Sequence, residues 1–277
     1  MIDTVLTWFS IYDYALVSVL LVTGFVFGKE RLLVIASYGI MPGFVAHTLL
    51  FVIRWVRTGW FPANGELENA ITGGWFAIAF TLYLFFRNRS LSGVALFTVP
   101  VTLLLLGFGV MKAPAPLPLA ASLKSSWLVI HVLFAQISFG AYAIAAGFGV
   151  IYLLKEKRQK SGRDPGFYNR FPRLEMMDEL MFKFVVYGFI TDAVMIVAGS
   201  IWAKDLWGSY WAWDPVEVWS LLSWLLYGLS IHLRVTLGWR GARQAWMMIV
   251  LLSTVIITYW GVNFVIANSK HILGVVS

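Results

Sequence analysis

The chain contains no cysteine, and only 13% of its residues are charged. The first absence excludes disulfides, thiolate metal sites and any thiol redox role for the chain itself. The second stands beside a 60% hydrophobic composition and a mean hydropathy of +0.78. Together they exclude a soluble fold, because 277 residues cannot hide that much apolar surface in one core. Acidic residues are few, 14 against 21 Lys and Arg. No basic domain collects the excess, which argues against nucleic-acid binding and for a topological role of the cations at a lipid membrane. Histidine is also scarce, with four in all. The start, Met1-Ile2-Asp3, lacks the basic region and cleavage site of a signal peptide, so the first apolar span is expected to be retained.

What the chain does have is apolar runs long enough to cross a bilayer. They fall at roughly 7–27, 32–53, 71–86, 91–111, 127–154, 181–202, 217–237 and 245–267. They predict an all-α polytopic membrane bundle of about eight transmembrane helices, a single membrane domain over 1–277. Fifteen of the 21 Lys and Arg fall in one set of loops and six in the other. The positive-inside rule assigns the richer set to the cytoplasm and therefore both termini to the outside. Within the main excursion, 155–180, the Lys155–Lys160 run reads as a solvated anchor. Leu174, Met177 and Leu180 recur at helical spacing and suggest an amphipathic helix on the inner surface. The connection at 112–126, with Pro114, Pro116 and Pro118, reads as extended and external. Gly73/Ala77 and Ala141/Ala145/Gly149 are small residues four apart, the pattern that lets membrane helices approach closely.

One stretch departs from the even texture of the rest. Between Trp207 and Trp224 lie five of the 14 tryptophans: Trp207, Trp211, Trp213, Trp219 and Trp224. An interfacial aromatic belt would scatter its rings over several helix ends. Here they crowd one loop and the first turns of one helix, with Gly208 and Pro215 bending the chain between them. Such a surface suits a large, flat, apolar ligand with a polar edge. Asp214 precedes Pro215 at a helix start and reads as an N-cap, with Glu217 complementing the helix dipole.

The histidines separate by depth. His131 lies near the outer end of span five, and His271 follows span eight on the same side. Two neutral imidazoles beside an aromatic platform could clamp an iron porphyrin axially. The bland alternative for each is a hydrogen bond to a neighbouring helix. His232 lies fifteen residues beyond Glu217 in span seven, about 22 Å deeper, towards the inner leaflet. His47, in span two, reads as structural. Asp13 and Asp192 also fall inside spans, where pairing with a neighbouring donor is expected ahead of proton relay.

At these residues the chain resembles a known family. WGSYWAWDPVEVW (207–219) is similar to the tryptophan-rich WWD signature of haem-handling membrane proteins in cytochrome c assembly. The approach from Leu174 to Trp202, the exit IHLRVTLGWRG (231–241) and the ending YWGVNFVIANSKHILG (259–274) are similar to its CcsA/ResC branch. The resemblance runs through about 125–275, and more weakly through HTLLFVIRWVRTGWFPANGELENA (47–70). The chain departs from the family pattern at Val216, where a basic residue is usual, at Ile272-Leu273 in place of Ser-Tyr, and around Glu66 and Leu67.

The resemblance implies a function and a site. His131 and His271 would be the external axial ligands of haem b, and His232 a ligand within the membrane. Trp207, Trp211, Trp213, Asp214 and Trp219 would form the loop that receives it. The family's activity would be transport and presentation of haem across the cytoplasmic or a thylakoid-type membrane and its ligation to apocytochrome c. The implied partners are a CcsB/ResB-type membrane protein, the apocytochrome, and indirectly a thioredoxin-like reductant; the implied enzyme, if this chain belongs to one, is a holocytochrome c synthase (haem lyase). On the residues alone two other readings stay open. One is a haem b electron-transfer subunit exchanging electrons with quinone, which would want facing His pairs and no open Trp-rich loop. The other is a non-haem transporter or scaffold.

Overall fold

A computed structural model describes residues 2–62, 65–112, 124–162 and 166–262. Among them are eight helices long and apolar enough to cross a membrane, and no strand. They are α1 (Ile2–Val26), α2 (Glu30–Thr58), α3 (Glu66–Arg87), α4 (Ala95–Lys112), α5 (Ser126–Lys160), α6 (Leu174–Trp207), α7 (Pro215–Leu237) and α8 (Ala242–Ile256). A 3-10 turn, Arg89–Val94, leads into α4, and a π-helical turn, Ile257–Gly261, extends α8. The first seven expected spans fall within these elements to within a residue or two once the Arg89–Val94 turn is counted with α4, and the eighth does so as far as residue 262, its last residues lying outside the described ones. The 112–126 connection falls largely outside the described residues.

Local chemistry sets the boundaries. Ser125 caps α5, its hydroxyl accepting from the Trp127 amide at 3.2 Å. Helix α6 begins just after Pro172 and ends at Gly208, whose φ of 80° closes the helix in the left-handed region. Helix α7 opens on Asp214 with Pro215 at its first position and closes at Gly238.

Two cores share the molecule. One, built mainly from α1 to α4, packs Tyr14, Ile40, Leu50, Ile71, Ile78 and Leu106. The other joins α5 to α8 with the faces of α3 and α4 turned towards them, and includes Phe139, Tyr142, Met181, Tyr227 and Met248. Helix α5 is their common axis, with 78% of its most apolar window buried; α7 stands at the edge with 22%. The small-residue faces make these approaches possible. A Cβ on Gly149 would stand 2.9 Å from the Ala245 carbonyl oxygen of α8, and one on Gly73 would meet the Gln136 side chain of α5.

Two expectations for the 155–180 segment do not hold. Among the described residues no separate amphipathic helix occurs there: Leu174, Met177 and Leu180 form the first turns of α6 itself. No breaker interrupts the chain after Pro172, and α5 supplies a matching wall, so Met177 is fully buried there. At about 1.5 Å per residue, α5 (35 residues) and α6 (34 residues) each exceed 50 Å and run well past a ~30 Å hydrocarbon layer. Nor is Lys155 a solvated anchor. It is buried, and its ammonium donates to the Phe171 and Pro172 carbonyls at 2.9 and 2.8 Å. Those carbonyls lie at the end of a turn that has left regular structure and need donors.

The same end carries a buried ion pair. Arg234 of α7 meets Asp178 of α6 at 2.8 Å, and the other Asp178 oxygen accepts the Gly241 amide at 2.7 Å. The Arg234 guanidinium lies over the Phe182 ring, 4.6 Å from its centroid. This clamp ties α6, α7 and the start of α8 together two residues from His232.

Candidate functional site

The connection from α6 to α7 is short and knitted to itself. The Lys204 ammonium donates to the Gly208 carbonyl at 2.8 Å, and the Ser209 hydroxyl to the Trp211 carbonyl at 2.8 Å. Glu217, one turn into α7, does more than complement a dipole. A single oxygen of its carboxylate, Oε2, accepts the amides of Ala212 at 2.8 Å and of Asp214 at 3.1 Å. Asp214 returns the bond by accepting the Val216 amide at 3.0 Å, and the two acids complete a capping box. Both are buried. The sequence signal was present in the Asp-x-x-Glu spacing; its reach back to Ala212 was not.

Between the two amides held by Glu217 lies Trp213. Its φ of 56° makes it the one non-glycine residue with positive φ among the described residues. A bulky side chain adopts this conformation only where its surroundings impose it. The carboxylate imposes it, and the ring is thrown outward to 74% exposure. Trp211 meets it edge to face, centroids 5.9 Å apart, and is half-buried.

Beneath the loop, α5 and α6 supply a histidine. His131 Nδ1 lies 2.9 Å from the Met195 carbonyl oxygen. A carbonyl can only accept, so Nδ1 carries the proton and, in the neutral ring, Nε2 holds the lone pair. The ring stacks on Trp202 at 6.4 Å and 22°. Met195, Gly199 and Trp202 lie at i, i+4 and i+7, one face of α6. A narrow cleft of ≈ 40 Å³ brings His131 together with Gly199, Tyr210, Trp211, Val216 and Glu217.

The predicted site residues therefore divide. His131, Trp211, Asp214 and Trp213 belong to one assembly with Glu217. Trp207 packs inward, edge to face on Trp202 at 5.2 Å. Trp219, half-buried, is not among the cleft residues. Trp224 stacks on Phe189 at 4.7 Å and donates its indole N–H to the Phe189 carbonyl, joining α7 to α6. Trp202 and Gly199 were missed by reading for aromatic density; helical spacing from Met195 was the available signal. His271 lies outside the described residues. His232 is on α7, far from the loop, with its side chain exposed in line with Val218, Leu222, Leu225 and Leu229. His47 is fully buried, one nitrogen 3.2 Å from the Tyr14 hydroxyl and the other 2.8 Å from the Ile71 carbonyl. Asp192 accepts from the Tyr142 hydroxyl at 3.3 Å.

A larger concavity of ≈ 410 Å³ opens between α4 and the end of α8, lined by Val101, Leu104, Leu105, Phe108, Ile256 and Trp260. It has no ionisable side chain, so convergent polar chemistry favours the smaller cleft as the site.

The matched family model, described as cytochrome C assembly protein, spans residues 68–268. The chain belongs to that family. Among its relatives, the cytochrome c biogenesis protein CcsA of Guillardia theta is 30% identical over 261 residues, covering 87% of this chain and 86% of that one. The protein of the same name from Parasynechococcus marenigrum is 32% identical over 285 residues, covering 88% and 93%. A solved structure, cytochrome c heme lyase CcmF, matches with a TM-score of 0.72 at 17% identity. It covers 94% of this chain, which spans 46% of that protein's length, and the likeness speaks for the fold alone. As a cytochrome c assembly protein, the chain is a multi-pass membrane protein of cytochrome c maturation.

Proposed function

We propose that this cytochrome c assembly protein takes up haem b at the inner side of the membrane and presents it at the outer side for attachment to apocytochrome c. The observation that carries this reading is the setting of His131: its Nδ1 proton is committed to the Met195 carbonyl, directly below a strained, aromatic loop. That is the donor state an axial imidazole needs. The chemistry of the donor set fits an iron porphyrin. The cleft does not fit one whole, since pockets for such ligands run to about 300–1,000 Å³. The ligand's face would therefore lie against the loop's outward rings, Trp211 and Trp213, with only an edge near the cleft.

Haem would supply the vinyl groups across which the cytochrome's thiols add, each addition breaking one S–H bond and the vinyl π bond and forming one C–S and one C–H bond, without net oxidation. The chain's own share is to hold and orient. His131, with His271 as its partner ligand, holds the iron; Trp207, Trp219 and Asp214 keep the loop in shape around it. The loop and both termini face outside, and the chain acts as one membrane domain with a CcsB/ResB-type partner and a thioredoxin-like reductant acting on the apocytochrome. His232 belongs to an earlier, inner site. Its exposure on an otherwise apolar stripe leaves a polar ring facing out of the bundle, where a partner helix would bring the second ligand.

The deciding experiment is an absorption spectrum of the purified protein, followed by transfer of its haem to an apocytochrome peptide. A protein that carries no haem, or haem that exchanges electrons with quinone and is never transferred, overturns the reading. His232→Ala should lower haem per folded molecule when the partner is co-expressed, with the external site still able to take haem supplied from outside. An unchanged ratio returns His232 to a packing role. Reporter fusions after Lys160 and after Ser277 should report cytoplasm and exterior; a cytoplasmic C-terminus overturns export.

A further inference from the structure

The ring of His131 rests against α6 at a point where there is no side chain. A Cβ built on Gly199 would stand 2.5 Å from His131 Nδ1 and 2.8 Å from Cε1. Both are closer than any real Cβ contact. The atom it would strike is the one bonded to the Met195 carbonyl, 2.9 Å away and one helical turn along the same face. The Trp202 ring also stacks on the imidazole, centroids 6.4 Å apart. The position, rotation and proton of the imidazole are thus set by three residues of one helix face.

We propose that Gly199, with the Met195 carbonyl, is the positioning element that fixes His131 as the Nδ1–H tautomer and turns Nε2 towards the cleft beneath the loop. This rests on the haem-holding reading of His131 for its purpose, but not for its geometry. The acceptor is a neutral carbonyl even though a carboxylate lies one turn away: Asp192 is three residues before Met195, and the Tyr142 hydroxyl occupies it at 3.3 Å. Tyr142 reaches Asp192 because Gly188 leaves its ring room, a Cβ there standing 2.5 Å from Tyr142 Cε1. A charged acceptor would polarise the imidazole more strongly and make it a stronger iron donor. A neutral one makes a ligand that can hold iron and also let go, which a presenting protein needs.

The first test requires no haem. In protein labelled with 15N-histidine, the His131 ring signals, assigned as those lost in His131→Gln, should show the Nδ1–H tautomer in the wild type. An Nε2–H tautomer there overturns the proposal outright, whatever becomes of any variant. Gly199→Ala should then shift those signals to the other tautomer or a mixture, although alanine by itself favours the helix. In haem-loaded protein the same variant should release haem on the order of 10-fold faster, as expected for a lost outer partner of an iron ligand. In the double variant His131→Gly, Gly199→Ala, free imidazole is untethered and can avoid the new methyl, so it should restore the wild-type spectrum. Wild-type tautomer and wild-type release in Gly199→Ala would overturn the positioning role. If His131→Ala leaves the haem spectrum unchanged, the functional reading falls, while the tautomer result still decides the role of Gly199.

Discussion

His47 and His131 make a close comparison: each lies within a membrane helix, and each sets one ring nitrogen against a backbone carbonyl of a neighbouring helix. For His47 the second nitrogen meets the Tyr14 hydroxyl, the ring is fully buried, and the surrounding core of α1 to α4 closes over it. For His131 the ring is half-buried, its carbonyl is reached across a glycine, and it borders the cleft under the α6–α7 loop. The residue type and the first hydrogen bond are the same. What separates a strut from a candidate ligand is the setting: a closed core around one ring, and around the other a cleft shared with a loop held by a carboxylate.

Substituting the two histidines should break the comparison most sharply. His131→Ala should weaken haem retention by more than about 100-fold, beyond the usual effect of losing an outer partner of a metal ligand, with recovery in added imidazole. His47→Ala should leave the spectrum of bound haem unchanged. It should instead cost about 3 kcal/mol of stability, since it leaves the Tyr14 hydroxyl and the Ile71 carbonyl buried without a partner. Haem titration and thermal denaturation of the same preparations separate the outcomes. A shifted haem spectrum in His47→Ala would erase the distinction.

The loop offers a smaller, sharper test. Glu217→Ala removes the acceptor shared by the Ala212 and Asp214 amides and should loosen the loop by about 3 kcal/mol, two charge-assisted bonds being lost. Glu217→Gln keeps an acceptor oxygen and should retain most of the order. The signal of 19F-labelled Trp213, assigned by its loss in Trp213→Phe, should sharpen and move in Glu217→Ala but barely move in Glu217→Gln. Equal behaviour of the two variants would mean that the carboxylate is not what holds the loop.

The smallest effect is expected at Trp213 itself. Asparagine tolerates the left-handed region better than tryptophan, so Trp213→Asn should stabilise the fold by less than about 1 kcal/mol. It should weaken haem retention at the same time, because the outward ring is gone. A variant that gains stability and keeps haem fully would show that the strain serves packing alone.

Much of the molecule was written locally in the chain. Eight spans follow from apolar runs because a bilayer leaves backbone groups no partner but their own helix, a constraint that acts on each segment separately. Asp214, Pro215 and Glu217 marked the start of α7 for the same reason: a cap is satisfied within a few residues. The tryptophan cluster announced an unusual loop, and it lies inside the stretch that the family model spans. The fate of individual side chains was decided by contacts between helices. Lys155 looks like any other membrane-flanking cation until the Phe171 and Pro172 carbonyls are brought to it, and Arg234 until Asp178 is. Trp207, Trp213 and Trp224 are alike in sequence; packing sends one to Trp202, one to solvent and one to Phe189. Gly199 is an ordinary small residue of a membrane helix until α5 crosses there and lays His131 against it. Hydrophobic period and capping are local and can be read from spacing. Which carbonyl, carboxylate or ring a side chain meets depends on residues dozens of positions away, and only the packed bundle fixes that.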